Sequence, residues 1–246
     1  PSPLSPTRWP ADAFSPRRCL IFVAAVAAAF AVGLICASVA VLFGGPAPIR
    51  SGKNLQLTTG LLMAQIVAYV PLLAAAVPLL PFAARRTLGE LGLHAPTAGD
   101  VRAGALGAVA MYVFAEAAAL VQKFALHVEG TQQAVRLFGT THDRTLIYGL
   151  IALAVFIAPV VEELIFRGFV FNALLRYVPV GLAAVASGIV FGLAHFDPTA
   201  FFPLACGGMV LAVVYYRTGS LTASMLTHGT FNAVNVALVL VTGGKG

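Results

Sequence analysis

What most constrains this chain is a recurrence of apolar runs, several about 20 residues long and nearly free of charge, divided by short segments that carry most of the Arg and Lys. About 20 helical residues cross the ~30 Å hydrocarbon core of a bilayer. A chain built this way needs lipid around it. Composition agrees: of 246 residues 59% are hydrophobic and 10% charged, whereas soluble domains run near ~45–50% apolar and ~25% charged. Such a chain would collapse in water, which excludes disorder. The net charge of +6 is scattered as short Arg clusters between apolar runs, where membrane topology is the usual cause. The expected partner is therefore the lipid bilayer and not nucleic acid.

The runs predict an all-α polytopic bundle of about seven (six to eight) spans. They are Cys19 to Phe43, Gly60 to Phe82, Ala103 to Val121, Leu146 to about Leu175, Leu182 to His195, Phe201 to Tyr216 and Leu221 to Val241. The first is preceded by Arg17-Arg18 and is longer than the ~7–15 residues of a signal-peptide core, which favours a retained span. Pro71, Pro78 and Pro81 in the second read as kinks tolerated in a packed bundle. Thr97 to Asp100 is a candidate start for the third helix, whose Glu116 is expected to face protein or water. Residues 122–144 read as a polar loop with room for one interfacial helix. The domain reading is a polar tail over 1–18, spans and loops over 19–145, and a chemistry-bearing core over 146–242. No internal repeat suggests two related halves. Eight Arg fall on the side of the N-terminus against six Lys and Arg on the other, which favours a cytoplasmic N-terminus in a cell membrane. Cys19, Cys36 and Cys206 lack metal-type spacing and read as small apolar fillers.

Ionisable groups inside such runs are expensive and need a reason. Glu162, Glu163 and Arg167 continue the fourth run. At about 100° per helical residue, Glu163 and Arg167 share a face, so Arg167 is expected to pair with Glu163 and leave Glu162 free. The alternative is a structural ion pair with a spare acid. His195 closes the fifth run, where an imidazole also serves as an interfacial anchor. His228 and Asn232 stack one turn apart in the seventh, a pattern that interhelical hydrogen bonding would also explain. Together a carboxylate, two imidazoles and an amide are the groups that turn water into a nucleophile and stabilise an oxyanion.

The ordered set Glu-Glu-x-x-x-Arg, Phe-x-x-x-His and His-x-x-x-Asn on successive hydrophobic helices resembles the CPBP intramembrane proteases. That family includes the type II CAAX prenyl endopeptidases and proteins of bacteriocin self-immunity. The resemblance covers about residues 146–241. It implies an intramembrane glutamic endopeptidase cleaving a membrane-associated protein or peptide, with Glu162 as general base and His195 holding the same water. Glu163 and Arg167 would be the orienting pair, and His228 and Asn232 the opposite wall that stabilises the tetrahedral intermediate. The resemblance leaves metal use open. Two His and a Glu are zinc-type ligands, but the chain has no His-Glu-x-x-His helix, so the reading favours no cofactor, with a divalent metal such as zinc the alternative. The competing function is a non-enzymatic transporter or immunity-type binding protein using the same polar cluster.

Overall fold

The computed structural model describes residues 9–43, 50–51, 54–55, 58–128 and 143–242. Seven helices account for nearly all of them: α1 (Pro16–Phe43), α2 (Thr59–Ala84), α3 (Ala98–Leu126), α4 (Arg144–Leu175), α5 (Val180–Leu193), α6 (Phe201–Thr218) and α7 (Leu221–Thr242). Six of these are long and apolar enough to cross a membrane; α5, with 14 residues, is a shorter apolar helix. The chain is a helical bundle and an integral membrane protein. Between α1 and α2, Arg50–Ser51 pairs antiparallel with Asn54–Leu55. The polar loop expected from residue 122 starts later, because α3 runs on to Leu126; residues 129–142, where an interfacial helix had room, and the tail residues 1–8 lie outside those described.

Helix starts follow local chemistry. Thr58 caps α2 through Leu61 N. Thr97 and Asp100 form a reciprocal capping box at the head of α3, satisfying two of the donors that a helix start leaves open. Asp143 caps α4 by accepting from Thr145 N and Leu146 N. Glu116 lies on the exposed surface of α3.

The helices alternate in direction, so one side of the bundle gathers the start of α1, the end of α2 and the end of α4. There Asp12 bridges Arg18 at 3.2 Å and Arg85 at 3.4 Å, Phe14 N donates to Ala83 O at 2.8 Å, and Arg176 donates to Pro10 O and Ala11 O. Below them Phe22 of α1 stacks on Phe169 of α4 with centroids 3.9 Å apart. Helices α5 and α6 cross at small residues. A Cβ on Gly188 would lie 2.5 Å from Ala205 O, and one on Gly208 would lie 2.9 Å from the Gly188 Cα, so only hydrogen side chains permit this backbone approach. Cys19, Cys36 and Cys206 are all free thiols.

Candidate active site

Helix α4 is not a regular α-helix. Two π-helical stretches, Leu153–Ile157 and Leu164–Phe171, flank the α-helical segment Ala158–Glu163. π-Helical turns widen the helix and occur mostly at functional sites. Glu162 and Glu163 end the segment between them, and Arg167 lies in the second stretch.

Glu163 and Arg167 are both fully buried. Arg167 Nη1 lies 3.1 Å from Glu163 Oε1, the pairing expected from their spacing. Its Nη2 donates to Gly208 O at 3.1 Å, and the guanidinium sits 4.7 Å above the Phe191 ring. The remaining capacity of Glu163 is also taken: Ser224 Oγ donates to Oε2 at 2.6 Å and His228 Nδ1 meets Oε1 at 3.0 Å. This carboxylate has no vacant oxygen and acts as an anchor between α4 and α7.

Glu162 is differently placed. Tyr69 of α2 donates its hydroxyl to Oε1 at 2.9 Å. Oε2 is buried without a hydrogen-bond partner in the protein. It faces His195 Nε2 at 4.0 Å and His228 Nε2 at 3.8 Å, too far for direct hydrogen bonds and within the span of one bridging water. The tautomers follow from the other ring nitrogens. His195 Nδ1 lies 2.8 Å from Phe191 O, which can only accept, and His228 Nδ1 meets a carboxylate; both Nδ1 atoms therefore carry the proton. Both Nε2 atoms are turned toward Glu162 Oε2, each a bare acceptor in the neutral ring and a donor in the imidazolium.

Asn232 has another employment. Its Nδ2 donates to Ala154 O at 2.8 Å, and the local backbone explains why. Ala158 N–H serves Leu153 O, and the next donor along the π register would be residue 159, a proline without an N–H. Ala154 O is thereby left open, and α7 supplies the amide that closes it. One amide hydrogen of Asn232 is committed to this carbonyl, and His228 borders Glu162 directly instead of standing on an opposite wall. The structure thus gathers Glu162, Glu163, Arg167, His195 and His228 around one point and sets Asn232 one turn beyond. Sequence reasoning missed Tyr69 and Ser224. The available signal for Tyr69 was a phenol hydroxyl inside an apolar run, which needs a buried partner. Among the described residues, no group of three or more His, Cys, Asp and Glu side chains is disposed to hold a metal ion.

Residues 144–234 match the family described as Type II CAAX prenyl endopeptidase Rce1-like. This segment is similar to that family. It contains Glu162, Glu163, Arg167, His195, His228 and Asn232, but not Tyr69. Two curated relatives align with part of the chain. An uncharacterized protein of Mycoplasma capricolum is 31% identical over 94 residues, covering 37% of this chain and 27% of its own. A Bacillus subtilis protein named "Putative membrane peptidase YdiL" is 28% identical over 91 residues, 37% of each chain. The alignments therefore span well under half the length of either relative. No solved structure matches the chain.

Proposed function

We propose that this protein is an intramembrane endopeptidase that hydrolyses a peptide bond of a membrane-associated protein or peptide with water activated by Glu162. The observation that carries this reading is the buried, unpartnered Oε2 of Glu162 with two imidazole Nε2 atoms turned toward it at about 4 Å. A lone oxygen of this kind costs free energy unless it is hydrogen-bonded, and its separations from the two Nε2 atoms match one bridging water. Glu162 Oε2 takes one water proton while Nε2 of His195 accepts a hydrogen bond from the other O–H, and the O–C bond forms at the scissile carbonyl. His228, backed by the Glu163 carboxylate as an imidazolium, presents Nε2–H to the oxyanion; the second amide hydrogen of Asn232 is available to assist. On collapse the C–N bond breaks and the proton on Glu162 passes to the leaving amine. No serine or cysteine nucleophile takes part, and the reaction as proposed uses no metal.

The Rce1-like match and the peptidase name of the Bacillus relative favour proteolysis over transport. The Arg distribution favours a cytoplasmic N-terminus in the cell membrane. The test is a comparison of membrane proteomes from cells expressing the wild type and Glu162→Gln. An uncut precursor is expected to accumulate with the variant while the variant itself stays folded in the membrane. Identical cleavage products in both would overturn the assignment and point to a binding or proton-carrying role for the cluster.

A further inference from the structure

The carboxylate of a glutamate turns about a broad sp³–sp² torsion, so nothing intrinsic decides which oxygen faces the reaction. In this site the decision comes from outside the Rce1-like segment. We propose that Tyr69 of α2 is a positioning residue for Glu162: its hydroxyl holds Oε1 so that Oε2 stays aimed between His195 and His228. The inference rests on the endopeptidase reading above and adds to it a member that residues 144–234 do not contain.

Three observations carry it. The Tyr69 hydroxyl lies 2.9 Å from Oε1, so one of the two oxygens is occupied and the torsion is fixed. The other, Oε2, is buried with no protein partner and is the atom near both Nε2 positions. Finally, the Tyr69 ring is itself held, packed against the cluster of Leu62, Leu150, Leu153 and Val236, which joins α2 to α4 and α7; the hydroxyl is delivered from a fixed platform. A tyrosine that merely needed its hydroxyl satisfied would be served by any carbonyl. This one takes an oxygen of the only acid in the cluster that the ion pair leaves unsaturated.

The test uses the full chain in lipid nanodiscs and in expressing cells, as wild type, Tyr69→Phe and Glu162→Gln. The infrared carboxylate band that disappears in Glu162→Gln identifies Glu162, and in Tyr69→Phe that band is expected to shift. Processing of the precursor that accumulates in Glu162→Gln membranes is expected to slow about tenfold or more, the scale of a lost hydrogen bond to a charged group, with little change in the melting temperature. If loss of the hydroxyl loosens the bundle, 3-fluorotyrosine placed at position 69 keeps the packing, changes the hydroxyl acidity and should still move the band. An unmoved band in both forms overturns the contact. Normal processing by Tyr69→Phe, with Glu162→Gln blocked, overturns the role of Tyr69 alone. Normal processing by Glu162→Gln removes the endopeptidase reading and this role with it.

Discussion

At the scale of residues, two adjacent glutamates differ because their neighbours differ. Glu163 is saturated by Arg167, His228 and Ser224, and removing one member of such a buried pair typically costs ~3–5 kcal/mol because the other charge is stranded. Glu162 keeps one oxygen without a protein partner. The spacing of Glu163 and Arg167 made their pairing legible in the sequence, since i,i+4 neighbours on a helix can hardly avoid each other. The bond between Asn232 and Ala154 was not legible, because it depends on a backbone carbonyl that only a π turn followed by Pro159 leaves open. That dependence makes a testable pair. Asn232→Ala should lower stability by about 1–3 kcal/mol, the range for stranding a buried polar group, read as a fall in melting temperature in nanodiscs. Pro159→Ala restores an N–H in the register of Ala154 O, so the double variant should recover part of that loss. If Asn232→Ala melts at the wild-type temperature, the carbonyl is satisfied by other means.

At the scale of elements, the site depends on the closeness of α7 to the first π stretch of α4. A Cβ on Gly229 would lie 2.7 Å from Val155 O, so this position tolerates no larger side chain without separating the helices. Gly229→Leu should push α7 away and carry the neighbouring His228 off Glu163. Cleavage of the precursor should fall by more than tenfold, since the misplacement reaches groups that must sit within hydrogen-bond distance of the reacting atoms. Retained cleavage would show that α7 can shift without cost to the site. The long apolar runs were readable, and so was the start of α3 at Thr97 to Asp100, because hydrocarbon thickness and helix ends impose them. The fifth run was read as one of about seven spans, and α5 has only 14 residues. That short run and its close at His195 were readable, but the approach of His195 to Glu162 is a tertiary fact that hydropathy does not carry. The π stretches left no trace either, since apart from Arg167 their residues are as apolar as those of any spanning helix. Tyr69 was only half legible: its hydroxyl signals a polar partner, but the run does not say whether that partner is a headgroup or a carboxylate.

At the scale of the whole molecule, the ordered motifs lie in the C-terminal part, yet the site draws on both. Helix α2 supplies Tyr69, and its Leu80 packs against Gly168 inside the second π stretch, so close that a Cβ there would lie 2.6 Å from a Leu80 methyl. Helix α3 ties its Gln122 side chain to Thr199 O at 2.7 Å, four residues after His195. Membrane helices that are stable singly can associate after insertion, so dividing the chain between residues 128 and 143 separates the two contributions without breaking a described helix. The C-terminal fragment expressed alone is expected to insert and to leave the precursor uncut, because Glu162 loses the hydroxyl that orients it and the His195 turn loses its tether. Co-expression with the N-terminal fragment should restore cutting, and an N-terminal fragment carrying Tyr69→Phe should restore it about tenfold less well than its parent. Full activity from the C-terminal fragment alone would mean that α4 to α7 hold the acid and both imidazoles in place unaided, and that α1 to α3 serve some end other than this site.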